Sequence, residues 1–283
     1  MAKERLDKLL SHQGYGSRKD IKKLLRSHEV LVNGKQIFDS AFQMDVQKDI
    51  LTLDGEEIVL QEKLYLMMNK IMHTVCANKG GEHQTVFELL GEDLKTPYLQ
   101  EKLHLVGRLD MDTEGLLLFT TDGTLTHKLI SPKSHVNKTY FCILEHPETE
   151  EHKSEIKKLF EQGIKVASDD NDPEFTCEPA GLEWATQDDF IKYTSQSSYK
   201  EALDKNGFSM QERELSQSFT PQNQIALLTI YEGKYHQVKR MFTAVGNKVI
   251  FLKRISVGSL QLDNSLRPGE YRALSSAEIE LLV

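Results

Sequence analysis

Between His104 and Gly123 the chain reads His-Leu-Val-Gly-Arg-Leu-Asp-Met-Asp-Thr-Glu-Gly, then Leu116-Leu117-Leu118-Phe119, then an Asp122-Gly123 turn. Arg108, Asp110, Asp112 and Glu114 thus share a loop with Gly107 and Gly115, and the loop feeds an apolar strand, a favoured setting for an active site. Two familiar chemistries fail on spacing. A calcium loop takes oxygen ligands at its first, third and fifth positions and a glycine at the sixth, which Asp110, Asp112, Glu114 and Gly115 satisfy. Its twelfth position is Thr121, where a bidentate carboxylate is required, and Leu116 to Phe119 reads as strand. A phosphatase of the haloacid-dehalogenase type wants Asp-x-Asp-x-Thr after a strand; Thr113 stands one place early, and Gly107-Arg108 interrupts the strand that should come first. Taken alone, the segment also fits a charged loop held by salt bridges, with Arg108 paired to Asp112.

The frame around these residues is that of a globular protein. The 283 residues are 39% hydrophobic and 28% charged, enough for one large or two ordinary domains with a real core. No apolar run approaches the roughly 20 residues of a membrane span. The N-terminal Met1-Ala2-Lys3-Glu4-Arg5 offers no apolar signal core, so a cytoplasmic location is expected. Cys76, Cys142 and Cys177 are far apart with no Cys-x-x-Cys pair, and read as reduced core thiols. A net charge of −8 argues at first against a polyanionic partner. The charge is uneven, however. Lys3 to Lys35 holds nine bases against four acids, Gly233 to Arg254 six bases and no acid, and Glu145 to Asp189 fourteen acids against four bases. The two basic patches keep a nucleic acid in play.

Residues 1–60 read as a small α/β unit. Ser17 is an N-cap, after which Ile21, Leu24 and Leu25 form an apolar helix face. Arg18, Lys22 and Arg26 recur every four residues on another face and make a positive ridge. Val30-Leu31-Val32 is a strand, Asn33-Gly34 a tight hairpin turn, and Ile37 resumes the pattern. The run Arg5-Leu6-Asp7-Lys8-Leu9-Leu10, Gly14, Ser17-Arg18 and Val30-Leu31-Val32-Asn33-Gly34 resembles the S-four-type RNA-binding domain. The resemblance implies that ridge and hairpin grip RNA backbone, contacts that position without reading sequence.

A second domain is expected over 61–283. It opens with the strand-like Leu64 to Met68 and carries helices over Thr85 to Leu90 and Glu150 to Phe160, with Ile156, Leu159 and Phe160 on one face. Residues 186–224 are rich in Ser, Thr, Gln and Asn and read as a polar insertion, with a short helix at Tyr199 to Leu203.

Gly107-Arg108-Leu109-Asp110-x-Asp112-Thr113-x-Gly115-Leu116-Leu117-Leu118 resembles the catalytic motif of pseudouridine synthases, in the branch of the ribosomal small-subunit enzyme RsuA. Lys138-Thr139-Tyr140 is similar to that family's second motif. Glu232-Gly233-Lys234-Tyr235-His236-Gln237-Val238-Lys239-Arg240-Met241-Phe242 and Pro268-Gly269-Glu270-Tyr271-Arg272 are similar to its third motif and C-terminal signature. The resemblance implies an α+β fold in which the catalytic domain is a mixed, largely antiparallel sheet with flanking helices. It also implies isomerisation of uridine to pseudouridine without cofactor or metal. Asp110 would be nucleophile or base, Lys239 the cation that keeps it ionised, and Tyr140 the ring that stacks on the extracted uracil. Arg108 would hold phosphate or fill the gap left by the flipped nucleotide. Lys234, His236 and Arg240, within the basic block Lys234 to Arg254, would bind RNA alongside Arg18, Lys22 and Arg26. The implied partner is ribosomal RNA, 16S rRNA or a pre-ribosomal particle, bound by a monomer away from any membrane. A 23S rRNA target and a non-catalytic RNA-binding factor are the alternatives. Three departures stand out: Asn69-Lys70-Ile71-Met72-His73 replaces the family's Asn-Lys-Pro-x-Gly, Glu114 replaces a small hydroxyl residue, and the 186–224 insertion is extra. Glu114 should either repel phosphate or be tied up by a base.

Overall fold

The computed structural model describes residues 3–12, 15–46, 48–58, 63–95, 97–169, 172–194 and 225–282. Gly14 and the helix expected at Tyr199 to Leu203 lie outside them. The chain divides into two compact units. One comprises Met1–Tyr65, Leu90–His104 and Phe119–Gly123; the other comprises Leu66–Leu89, Leu105–Leu118 and Thr124–Val283.

In the first unit, β1 (Glu4–Arg5) leads into α1 (Leu6–His12) and α2 (Arg18–Ser27). Ser17 starts α2 with a capping box: its hydroxyl accepts from the Asp20 amide, and the Asp20 carboxylate accepts from the Ser17 amide. Strands β2 (Val30–Val32), β3 (Lys35–Gln36), β4 (Gln43–Met44), β5 (Leu51–Leu53) and β6 (Glu56–Ile58) follow. β2 and β3 form the expected hairpin, Asn33 and Gly34 both taking positive φ, and the sheet runs β3-β2-β5-β6 while β1 pairs with β4. Ile21 and Leu25 enter a core with Leu6, Leu9, Leu10, Val30, Val32, Met44 and Leu51, and Leu24 packs at its edge. Arg18, Lys22 and Arg26 are exposed on the other face of α2.

The second unit is built on one sheet. The strands of that sheet, apart from Tyr65, His104 and Phe119–Thr120 counted in the first unit, are β7 (Tyr65–Lys70), β8 (His104–Leu105), β9 (Thr113–Thr120), β10 (Lys138–Leu144), then β13 (Gly181–Trp184), β14 (Ile225–Ile230), β15 (Val249–Val257), β16 (Leu260–Gln261) and β17 (Tyr271–Ala273). The short β11 (Lys165–Val166) and β12 (Phe175–Thr176) pair separately. Among the described residues the main order is β13-β14-β10-β15-β9-β7-β17, with β16 on β15 and β8 on β9. β10 is antiparallel to β14 and β15, whereas β9 runs parallel to β15. The fold is therefore the α+β architecture expected, with a mixed and mostly antiparallel sheet.

Helices α3 (Pro97–Lys102), α4 (Gly123–Ile130), α5 (Glu150–Gln162), α6 (Gln187–Thr194), α7 (Gln237–Ala244) and α8 (Ser276–Glu280) complete the described elements. α5 buries Ile156 and Phe160, and Phe160 meets Phe242 of α7 edge to face at 5.4 Å. Leu159, expected on that face, is exposed, and Lys153 takes the buried place one turn before Ile156. No helix forms over Thr85 to Leu90. Thr85 and Glu88 exchange backbone-to-side-chain hydrogen bonds in the manner of a cap, yet the turn ends by Gly91, too short to repay helix nucleation.

Every residue of β9 is buried, and a fully buried Leu or Phe there contributes roughly 1.5–3 kcal/mol. The pairing of β9 with β15 requires Gly115. Its φ is +100°, and a methyl group at that Cα would lie 2.2 Å from the Arg254 carbonyl oxygen. Gly115→Ala is therefore expected to cost about 2 kcal/mol or more, measured as a lower urea midpoint. An unchanged midpoint would show that the strands can separate without penalty.

Candidate active site

β9 fixes what precedes it. Its first residues pair with β15 in the register Thr113 to Leu252 and Glu114 to Lys253, so the Asp110 to Asp112 loop emerges beside the start of that strand pair. Lys70, at the end of β7, clamps the loop from below. Its fully buried Nζ donates to the carbonyls of Met111 at 3.2 Å, Thr113 at 2.9 Å and Ile71 at 3.1 Å. Burial lowers this ammonium to about 8, against the attraction of Cys76, Asp112, Glu114 and Asp110. The Leu109 amide also donates to Cys76 Sγ at 3.4 Å. Spacing alone could not mark Lys70 as the clamp, since its two loop partners lie about forty positions away; a lysine closing an apolar strand, where the family's Asn-Lys also stands, was the available signal.

Above the loop, α7 begins at His236, whose left-handed φ of 50° turns the chain abruptly into the helix. Gln237 locks this entry: its side-chain oxygen accepts from the Lys234 amide and its Nε2 donates to Glu232 at 2.7 Å. Glu232 in turn accepts from the Glu178 amide. α7 buries Val238, Met241 and Phe242, which leaves Lys239 beside the carboxylate loop. Lys239 Nζ stands 3.3 Å from Asp110 Oδ2 and 2.5 Å from Asp112 Oδ1, so one ammonium serves two acids. His236 Nε2 lies 3.8 Å from the same Asp110 oxygen, and its Nδ1 4.0 Å from Asp169.

Asp110, His236, Gln237, Val238 and Lys234 line an open cleft together with Arg108, Leu109, Thr113, Tyr140, Ile230 and Leu252. Tyr140 comes from β10, where it pairs with Leu228 on one side and Arg254 on the other, and it is 8% exposed. Asp110 and Tyr140, drawn from distant segments, thus line one cleft, and Lys239 from a third segment reaches its edge through Asp110. Arg108 is exposed at its edge and makes no ion pair among the described residues; Asp112 is held by Lys239 instead. A carboxylate beside an ammonium and a nearly buried tyrosine can serve as nucleophile or base toward a flat ring seated in the cleft.

Other expectations need correction. Arg240 does not face RNA. It is 8% exposed, donates to the carbonyls of Ala167 at 2.7 Å, Pro173 at 2.6 Å and Tyr235 at 3.3 Å, and pairs with Asp172 at 2.9 Å. The basic block Lys234 to Arg254 is likewise no continuous phosphate-binding patch. Lys253 is buried and donates to the Tyr193 carbonyl, Arg254 is buried and donates to the Leu116 carbonyl, and Lys248 pairs with Glu145. Lys234 keeps its place at the cleft, but its Nζ is 3.0 Å from Glu232 and lies over the Phe175 ring at 4.2 Å. Glu114 is wholly buried opposite Lys253, attracted by Lys253 and Lys70, and so cannot repel phosphate. Arg18, Lys22 and Arg26 belong to the other unit and are not cleft residues.

Comparison with known proteins identifies the family. Residues 64–244 match the family model described as RNA pseudouridylate synthase, and residues 4–50 match the S4 domain. An uncharacterized RNA pseudouridine synthase of Bacillus subtilis is 38% identical, with 98% of each chain covered. The ribosomal small subunit pseudouridine synthase A of Vibrio vulnificus is 36% identical, again over 98% of each chain. A solved pseudouridylate synthase structure covers 99% of both chains at 33% identity with a TM-score of 0.58. With an S4 domain at its N-terminus and a carboxylate cleft beyond it, this chain belongs to the RNA pseudouridine synthases.

Proposed function

We propose that the enzyme isomerises a uridine of small-subunit ribosomal RNA, the substrate class named for several of its relatives, at the cleft around Asp110. The observation that carries this reading is the Asp110 carboxylate with the Lys239 ammonium at 3.3 Å on a cleft walled by Tyr140. The reaction breaks the bond between ribose C1′ and uracil N1, turns the base, joins C1′ to C5, and moves one proton from C5 to N1. Substrate and product are isomers, so the chemistry asks for a held charge and a held base.

Asp110 acts in its ionised form, either adding to the nucleoside or removing a proton from the sugar. Lys239 offsets the cost of keeping that charge once RNA displaces water from the cleft. Lys70 sets the height of the loop through the Met111 and Thr113 carbonyls, so the carboxylate has little freedom to swing. Tyr140 stacks on the detached uracil and serves the proton at C5. Arg108, exposed and without a carboxylate partner among the described residues, takes a backbone phosphate or fills the place of the flipped nucleotide. Extracting a uridine from structured RNA costs a few kcal/mol of unstacking. Contacts elsewhere must offset it, and in this reading residues 1–60 grip RNA through Arg18, Lys22 and Arg26, while 61–283 do the chemistry. The enzyme would act in the cytoplasm as a monomer.

Pseudouridine mapping of ribosomal RNA from cells with and without the gene tests the assignment. One site in small-subunit RNA should vanish with the gene. A missing site in large-subunit RNA alone would move the target, and no missing site would refute the activity. Neutralising Lys22 and Arg26 together should weaken RNA binding and reduce the slope of log affinity against log salt by about one to two. An unaltered slope would mean that the ridge is only solvated surface.

A further inference from the structure

At the rim of the cleft, beside Lys234 and His236, stands a side chain that the chemistry does not use. Tyr235 is 41% exposed although it sits in a segment otherwise locked from several directions. Its ring stacks on the His236 imidazole with centroids 3.8 Å apart and planes 25° from parallel. The left-handed backbone at His236 makes this stack between consecutive residues. The Tyr235 carbonyl accepts from Arg240 Nη1 at 3.3 Å, and Arg240 is itself held by Ala167, Asp172 and Pro173. Phe175, clasped between Lys234 Nζ at 4.2 Å and Arg240 Cζ at 4.5 Å, braces the same corner. An aromatic ring that fills no core yet is fixed by its backbone and by a stacked neighbour is organised in advance for a flat ligand, with little ordering left to do on binding.

We propose that the Tyr235–His236 stack is a platform for the base of an RNA nucleotide neighbouring the flipped uridine, and so helps select the substrate. The inference rests on the function proposed above. Two features match the two halves of a nucleotide: Arg108, exposed on the cleft without an ion pair among the described residues, suits a phosphate, and the Tyr235 ring suits a base. Carboxylates at this corner are already engaged, Asp172 by Arg240, Asp110 and Asp112 by Lys239, and Asp169 faces His236. Stacking on a tyrosine face tolerates any base, so the platform favours unpaired nucleotides at that position over a helical one.

The test uses the full-length protein, in vitro transcribed small-subunit ribosomal RNA, and inorganic polyphosphate as an anion without bases. Tyr235→Ala should bind the RNA roughly 5- to 100-fold more weakly, the loss expected for one base-to-aromatic stack. Tyr235→Phe should bind like the wild type, because stacking needs the ring and not the hydroxyl. Affinity for polyphosphate should be the same in all three, and conversion at saturating RNA should be unchanged while KM rises. Wild-type affinity in Tyr235→Ala, failure of Phe to restore binding, or an equal loss toward polyphosphate would each overturn the proposal. Conversion of uridine by the wild type is read in the same reactions. Its absence would refute the proposed function, while the affinity series would still decide the stack.

Discussion

The proposed chemistry rests on one contact, the Lys239 ammonium 3.3 Å from Asp110 Oδ2: that reading needs a negative charge kept on Asp110 once substrate excludes water from the cleft. A carboxylate losing its hydration tends to take up a proton, and an ammonium at hydrogen-bond distance opposes this. Lys239 supplies it, from the first turn of a helix whose entry is locked by Gln237 and Glu232 and whose inner face is anchored by Val238, Met241 and Phe242. Asp112 shares the same ammonium, which ties the far side of the loop to the helix as well.

The parallel pair β9 and β15 makes that meeting possible. Gly115 lets the two backbones approach, Lys253 and Glu114 lie opposite each other inside the unit, and the Arg254 guanidinium returns to the Leu116 carbonyl. Half of the positive charge between Gly233 and Arg254, on Arg240, Lys253 and Arg254, is therefore interior scaffolding. Lys70 completes the arrangement by holding Met111 and Thr113 from the neighbouring strand β7. With Lys70, Lys253 and Arg254 bound to carbonyls, Lys239 is the lysine paired with Asp110 among the described residues, and His236 stands beside it.

Much of this could be read from the chain alone, for identifiable reasons. Local rules gave the Ser17 cap, the apolar face of α2 and the Asn33-Gly34 turn, because each depends on neighbours within four residues. The loop carrying Asp110 and its following strand were visible for the same reason. The grouping of Asp110, Tyr140 and Lys239 came from likeness to a family; no spacing links positions so far apart. Burial was what the sequence concealed. Arg240, Lys253 and Arg254 look like RNA ligands when charge is counted along the chain, yet each finds carbonyl acceptors inside. Leu159 follows the helical spacing and is exposed nonetheless, while Lys153 is buried and reaches Glu150. Thr85 and Glu88 carry a helix-start signal with no helix after it, since a cap cannot compensate for a segment too short to propagate.

The most direct measurement is tritium release from uridine labelled at C5 in small-subunit ribosomal RNA, with RNA affinity measured on the same preparations of wild type and Asp110→Asn. The amide keeps the size of the side chain and removes its charge. The account predicts that the variant binds RNA at close to wild-type affinity and releases no tritium above background. Wild-type release from Asp110→Asn would contradict it and return the loop to a structural part.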